Sequence, residues 1–114
     1  MKNEIIIFEN QGIKLEVNMK DETVWLTLDQ MAKLFDRNKS VISRHIKNAM
    51  SEELDTSTVA KFATVQTEGN REVEREIEYY NLDTIISVEY RVKSQNGIVF
   101  RKWATIDLVQ NFLI

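Results

Sequence analysis

The chain has 114 residues, of which 43% are hydrophobic and 29% charged, and it contains no cysteine. This composition predicts one compact globular domain, and the lack of cysteine excludes disulfides, a cysteine nucleophile and thiolate zinc sites. No apolar run approaches the roughly 20 residues that span a bilayer, and no secretory signal is evident. We therefore expect a soluble, cytoplasmic protein that is not embedded in a membrane.

The net charge of −3 argues against a protein that coats nucleic acid without specificity, because such proteins carry a strong positive excess. The charge is unevenly distributed, however. Leu28–Met50 contains five Lys or Arg residues and two acidic residues, which gives +3 and leaves −6 on the rest of the chain. The basic segment therefore predicts a local contact with an anionic partner.

The first part of the chain reads as three strands. An apolar run at Ile5–Phe8 is followed by a polar turn over residues 9–12, and Ile13–Met19 alternates apolar and polar residues. This pattern is typical of a hairpin with one buried face. A second polar turn at Lys20–Thr23 leads to Val24–Leu26, a short apolar segment that we interpret as a third strand.

A helix-turn-helix is predicted over residues 27–50. Thr27 and Gln30 have the spacing of a capping box, which opens a helix from Leu28 to Phe35. After the short break at Asp36, Arg37 and Asn38, a second helix is expected from Lys39 to about Met50, with Asn38 as its cap. Ile42, Ile46 and Ala49 form its inner face. Asp36 stands where a turn often has glycine, so a left-handed backbone is expected there.

The third quarter of the chain predicts a loop and a second hairpin. The loop is expected at Ser51–Ser57, followed by strands at Val59–Gln66 and Val73–Tyr80 with a turn at Thr67–Arg71. The later strand places three glutamates on the face opposite Val73, Ile77 and Tyr79: Glu74, Glu76 and Glu78. Because carboxylates repel phosphates, we expect this strand to face away from DNA, leaving only the tip near Asn70 and Arg71 as a candidate contact.

Two helices complete the predicted α+β architecture, in which two β-hairpins surround the helix-turn-helix. Asn81 caps a helix that runs to about Lys93 and is apolar around much of its surface. Ser94–Gly97 breaks the pattern, and a last helix runs from Ile98 toward Leu113. Its expected inner face consists of Phe100, Trp103, Ala104, Leu108 and Phe112. Residues 1–114 are interpreted as a single domain.

The outward face of the helix-turn-helix carries the predicted function, which is binding to double-stranded DNA. The second helix of such a unit lies in the major groove, where Arg and Lys suit guanine edges and phosphates. Ser43 and Arg44 are assigned to base edges, with Ser40 as a third candidate, and Lys39 and Lys47 to phosphates. The complete candidate set is Arg37, Asn38, Lys39, Ser40, Ser43, Arg44 and Lys47.

Other chemistry has little support in the sequence. His45 is the single histidine and lacks a second ligand, so packing or a phosphate contact is preferred to metal binding. The glutamates at 72, 74, 76 and 78 are interpreted as a solvated strand face. Trp25, Tyr90 and Trp103 are assigned to core packing in preference to base stacking. No phosphate-binding loop, nucleophile elbow or carboxylate dyad occurs, so we expect neither enzymatic activity nor a cofactor.

Short segments spread over nearly the whole chain, among them Val24–Thr27, Ile42–Asn48, Glu78–Asp83 and Trp103–Thr105, match one known family in the order in which they occur. Together they resemble the RhuM-like virulence-associated proteins of bacteria. The closing stretch Gly97–Thr105 is also similar to the Phe-Arg-x-Trp segment of phage antirepressor N-terminal domains of the Bro-N and KilA-N group. Where the family typically has Gly-Val at the turn, this chain has Asp36-Arg37. The segments that carry the resemblance are Val24–Thr27, Gln30–Ala32, Leu34–Phe35, Ile42–Asn48, Glu78–Asp83, Ile85–Val88, Tyr90–Val92, Ser94, Gly97, Phe100–Arg101 and Trp103–Thr105.

The resemblance implies that the chain is the N-terminal part of a longer regulator, because members of that family are usually longer. The apolar end Phe112–Ile114 fits such a truncation and is a candidate surface for a homodimer or for a missing C-terminal domain. An alternative function stays open: an antirepressor-like module that binds a protein, with a purely structural helix pair. That module would tolerate pairing of Lys39, Arg44 and Lys47 with Asp36, Glu52 or Glu53, whereas DNA binding needs these cations free.

Overall fold

A computed structural model describes residues 4–52 and 58–113, apart from the side chains of residues 62–66 and 107–113. The described chain is α+β, as predicted, with helices that pack on one antiparallel sheet. In chain order the elements are β1 (Glu4–Asn10), β2 (Ile13–Lys20), β3 (Thr23–Thr27), α1 (Leu28–Phe35), α2 (Lys39–Glu52), β4 (Val59–Glu68), β5 (Arg71–Asn81), α3 (Leu82–Val92) and α4 (Gln95–Leu113).

The two predicted hairpins belong to a single five-stranded sheet with the order β1-β2-β3-β5-β4. All neighbouring strands are antiparallel. The hairpins are joined by a short ladder between β3 and β5, in which Trp25 lies opposite Asn81 and Thr27 lies opposite Tyr79. This ladder places α1 and α2, which follow β3, beside the start of α3, which follows β5.

The turns are tighter than the sequence predicted, so the strands are longer. Gln11 and Gly12 both have positive φ, as do Asp21 and Glu22. Two consecutive positive φ values are those of a two-residue type I′ turn, whose twist matches that of the flanking strands. The strands therefore continue to Asn10 and Lys20. The second hairpin likewise turns within Gly69 and Asn70, which lie between the paired residues Glu68 and Arg71.

The core lies between the helices and the inner face of the sheet. Side chains from all four helices and from β1, β2 and β3 contribute, and the inner face predicted for α2 is confirmed. Phe8 of β1 packs edge-on against Phe100 and Trp103 of α4, with ring centroids 5.1 and 5.2 Å apart. The residues at 0% exposure in this core are Val17, Val24, Leu26, Met31, Leu34, Phe35, Ile42, Ala49, Val88, Phe100 and Ala104.

Two helix boundaries differ from the prediction. The predicted loop over residues 51–57 is wrong at its start, because α2 continues through Ser51 and Glu52; residues 53–57 lie outside the described chain. The predicted break at Ser94–Gly97 is confirmed at Ser94 and is wrong for residues 95–97, because α4 begins at Gln95. The hydroxyl of Ser94 accepts a hydrogen bond from the Gly97 amide (3.4 Å), and the Ser94 carbonyl accepts one from Ile98 (3.1 Å).

The predicted core role of the aromatic residues holds for Trp25 and Trp103 and is wrong for Tyr90. Trp25 is 5% exposed, and its indole N–H donates to the Lys20 carbonyl at 2.9 Å. Tyr90 is 60% exposed because it lies on the outer side of α3, where the Arg101 guanidinium sits 5.6 Å from its ring centre. Leu108 and Phe112 were expected to face inward, and their side chains lie outside the described part of the structure.

Candidate nucleic-acid interface

Local hydrogen bonds fix the start and end of α1 and thereby set the direction of α2. The capping box is present in full: Thr27 Oγ1 accepts from the Gln30 amide (3.1 Å), and Gln30 Oε1 accepts from the Thr27 amide (2.9 Å). At the other end Asp36 has φ 53° and ψ 53°, the left-handed backbone expected for it. The amides of Asp36 and Arg37 donate to the carbonyls of Lys33 and Ala32, which is the Schellman arrangement.

Asn38 caps α2, as predicted. Its side-chain oxygen accepts hydrogen bonds from the amide and the hydroxyl of Ser40, both at 3.0 Å, while its carbonyl accepts from Val41 and Ile42. Asp36–Asn38 is thus a three-residue connection between two helices. This length is typical of a helix-turn-helix, in which the second helix can lie in the major groove.

Arg37 has a structural role that the sequence did not predict. Nη1 of its guanidinium donates to the carbonyls of Phe35 (3.1 Å) and Asp36 (3.0 Å), and Nη2 donates to the Val92 carbonyl (3.3 Å). These bonds connect the end of α1 with the end of α3 and satisfy carbonyls that helix ends leave unpaired. Because the bonds hold the guanidinium against the protein, Arg37 is a weaker candidate for DNA contact than its exposure suggests.

Lys39, at the start of α2, forms an ion pair with Asp29 of α1, with Nζ 2.8 Å from Oδ1. Both side chains are more than half exposed, and such a pair contributes at most about 1 kcal/mol, so phosphate could displace the aspartate. The pairing with Asp29 was not predicted. Of the acidic residues considered as partners, Glu52 instead pairs with Arg91 at 3.0 Å, and Glu53 lies outside the described chain.

Arg44 and Lys47 form the basic centre of the outward face of α2. Both are exposed, and among the described residues neither has an ion-pair partner within 4 Å. They are three residues apart, so their side chains lie on adjacent turns of one face. Ser40 is exposed one turn earlier, and Ser43 is partly buried beside them. The structure thus brings Ser40, Ser43, Arg44 and Lys47 together.

His45 lies beside this face and not on it. Its ring is partly buried, as expected for a packing role. Burial lowers the pKa of His45, and the positive charges of Arg44 and Arg91 lower it further. The histidine is therefore neutral at physiological pH and adds no charge to the basic face.

A groove of about 570 Å³ runs between α2 and the second hairpin. Ser43 and Lys47 line it on the helix side, and Glu78 and Tyr80 line it on the strand side. The acidic strand was expected to face away from DNA, and its residue Glu78 lies beside the basic helix in this groove. Alternate residues of a strand share a face, and Tyr80 packs toward the core, so Glu78 must lie on the helix side.

Glu78 and Tyr80 interact directly at the floor of this groove. The Tyr80 hydroxyl donates to Glu78 Oε2 at 2.9 Å. Burial, the hydrogen bond to Glu78 and the negative charge of Glu78 together raise the pKa of Tyr80 to about 12. The tyrosine is a neutral donor that holds the carboxylate in place. Sequence analysis missed this pair, although the two-residue spacing contained the signal.

The tip of the second hairpin, residues 67–72, is exposed. Asn70 and Arg71 lie at its tip, where the sequence placed a secondary contact. Nearby, Nη2 of Arg75 donates to Glu68 Oε2 at 2.7 Å, and this bond raises the pKa of Arg75. Arg75, which lies on the opposite strand face from Glu74, Glu76 and Glu78, is therefore paired with Glu68 within the hairpin.

Within the described residues, no group of three or more His, Asp or Glu side chains is arranged to hold a metal ion. No helix in the same part of the chain is long and apolar enough to cross a membrane.

Comparison with known proteins identifies a matching family. The model of the virulence protein RhuM family matches residues 57–114, which include β4, β5, α3 and α4. No curated protein and no solved structure matches the chain significantly. The matched segment begins after the helix-turn-helix, and the resemblance to Bro-N and KilA-N domains stays a prediction.

Proposed function

This chain belongs to the RhuM virulence protein family, and from that premise we propose that it binds double-stranded DNA through the outward face of α2. The family description refers to virulence and names no biochemical activity, so the proposal rests on the helix pair. In this proposal the protein is a non-enzymatic transcription regulator of the bacterial or phage type, and it acts in the cytoplasm.

One observation carries the proposal: Arg44 and Lys47 project from one face of a capped second helix, without an ion-pair partner among the described residues. In the proposed complex Arg44 and Ser43 read base edges, and Lys47 contacts a phosphate. Lys39 contacts a second phosphate after it separates from Asp29. Arg37 and Asn38 contribute indirectly, because they fix the direction in which α2 leaves the turn.

A protein-binding function of the antirepressor kind is the second candidate, and the groove beside α2 favours it. Ile46, Met50 and Val59 give this groove apolar walls, which DNA would not use. The carboxylate of Glu78 also opposes a phosphate at this position. The two functions differ in their dependence on salt, because DNA binding releases counterions from the phosphates.

We would measure fluorescence anisotropy of a labelled, randomised duplex pool at about 50 and 200 mM salt, with the unmodified chain and with Arg44→Ala/Lys47→Ala. The proposal predicts binding that weakens steeply with salt. The double variant should lose about ten- to a hundredfold in affinity and about one unit of salt slope, as expected when the phosphate contact of Lys47 is removed.

Lys14→Ala/Lys102→Ala is the matched control, because it removes two exposed positive charges from β2 and α4 and changes the net charge equally. This control should bind within about twofold of the unmodified chain, because neither lysine lies on the outward face of α2. An equal loss in both variants would show a response to net charge alone. No binding at the lower salt, with a folded chain, would reject DNA binding and favour the protein-binding function.

A further inference from the structure

The edge strand β1 presents an unusual combination of exposed backbone and exposed isoleucine. Among the described residues its ladder is made with β2 alone, because β1 is the first strand in the sheet order. Ile5 is 62% exposed and Ile7 is 47% exposed. An unpaired strand edge that carries apolar side chains is a template for a further strand.

The alternation along β1 shows which face these side chains occupy. Phe8 is buried and Ile6 packs against the core, so both point toward the helices. Ile5, Ile7 and Glu9 are exposed and point to the opposite face. The two isoleucines are therefore separated by one inward residue, Ile6, and lie symmetrically about it.

We propose that β1 is a self-association edge, on which β1 of a second copy of this chain pairs in an antiparallel ladder centred on Ile6. In this register Ile5 of each copy lies opposite Ile7 of the other, so four exposed isoleucines form one cluster on the outer face. Opposed side chains in an antiparallel pair are about 5 Å apart and pack against each other. The contact is isologous and closes as a dimer.

The other registers are less favourable for reasons that the sequence of β1 supplies. A shift of one residue in either direction mixes inward with outward side chains, and in one direction it also places Glu4 opposite Glu9. A shift of two residues places Ile5 opposite Glu9 in one direction, and in the other it leaves Ile7 without a partner among the described residues of β1. The centred register is the one that pairs both isoleucines and opposes no like charges.

The paired ladder covers only Glu4–Phe8 among the described residues, so the contact is small. Interfaces below about 1,000 Å² are weak, and a rapidly exchanging dimer is expected. The suitable test is therefore to trap the dimer with a disulfide between introduced cysteines. The chain contains no cysteine of its own that could form a competing disulfide. The proposal does not depend on DNA binding, and the test contains no DNA.

The experiment mixes Ile5→Cys chains with Ile7→Cys chains in a buffer of oxidised and reduced glutathione, with a mass tag on one of them. The rate of disulfide-linked dimer formation is then measured. The mixed dimer should form about tenfold faster than a dimer of either variant alone, because pairing holds opposite thiols together. Ile106→Cys is the control for random collision, since Ile106 is also 57% exposed but lies on α4.

Two results would overturn the proposal. Equal rates for the mixture and for Ile106→Cys alone would show that β1 does not pair with itself. Faster linking of Ile7→Cys alone, or of Ile5→Cys alone, would show a ladder centred on another residue. Circular dichroism of each variant verifies the fold, which these exposed positions should leave intact.

Discussion

Gly97 is the residue at which a single methyl group should have the largest effect. It is buried within α4, and a Cβ placed there would lie 2.5 Å from Cε1 and 2.8 Å from Cδ1 of Phe35. Phe35 is itself 0% exposed, so its ring has no free space to enter. The glycine is therefore required by the close approach of α1 and α4.

Gly97→Ala should lower the free energy of unfolding by about 1–3 kcal/mol, the usual cost of overpacking a core. At an exposed helix position the same substitution would raise the free energy of unfolding by about 1 kcal/mol. The sign of the change therefore distinguishes a closely packed glycine from an exposed one. Urea denaturation followed by circular dichroism measures the difference. An unchanged or higher free energy of unfolding would contradict the close packing of α1 on α4.

Residue-scale features were predictable where their causes are local in the sequence. The side-chain oxygens of Thr27, Gln30 and Asn38 each accept a hydrogen bond from a backbone amide two or three residues away. Such helix caps can be recognised from the spacing of these residues in the sequence. Asp36 was predictable for the same reason, since few residues tolerate a left-handed backbone. The bond from Arg37 to Val92 was not predictable, because it joins residues 55 positions apart.

At the scale of elements, α3 and α4 are held together by a mostly buried ion pair. Glu89 Oε1 of α3 lies 3.2 Å from Arg101 Nε of α4, and their side chains are 4% and 33% exposed. The two atoms attract each other but do not have hydrogen-bond geometry, and neither has a hydrogen-bond partner in the described structure. A buried charge without its counterion is costly, so each partner constrains the other.

The difference in exposure predicts an asymmetry between two substitutions. Arg101→Met leaves the Glu89 carboxylate buried without a cation, and should lower the free energy of unfolding by about 3 kcal/mol. Glu89→Gln leaves an arginine that can turn toward solvent, and should cost about 1–2 kcal/mol. Chemical denaturation of both variants and of the double variant measures the coupling. Equal losses, with additive effects in the double variant, would show that the pair is not coupled.

The elements themselves were largely predictable because hydrophobic periodicity depends on nearby residues. The alternation in Ile13–Met19 and the inner stripe of α2 both correspond to observed elements. The start of α4 was misplaced because Gly97 reads as a helix breaker, whereas the glycine is present to accommodate Phe35. A boundary that depends on tertiary packing cannot be obtained from a local pattern.

For the whole molecule, the sheet order is the feature that the sequence did not reveal. Nothing in the two hairpins indicates that β3 would pair with β5, because the paired residues are more than 50 positions apart. That pairing brings the second hairpin to α2 and places Glu78 in the groove with Ser43 and Lys47. The basic candidate site could therefore be predicted, but the acidic residue beside it could not.

If the proposed DNA binding by α2 holds, the position of Glu78 in this groove predicts that Glu78 weakens it more than the other glutamates of β5 do. Glu78→Gln should tighten binding to the duplex pool about two- to fivefold near 50 mM salt, because a negative charge beside Lys47 is removed. Glu72→Gln changes the net charge equally, but it lies about 20 Å further along the strand, beyond the screening length. It should therefore leave affinity nearly unchanged. Equal tightening by both substitutions would show that total charge, and not the position of Glu78, limits the affinity.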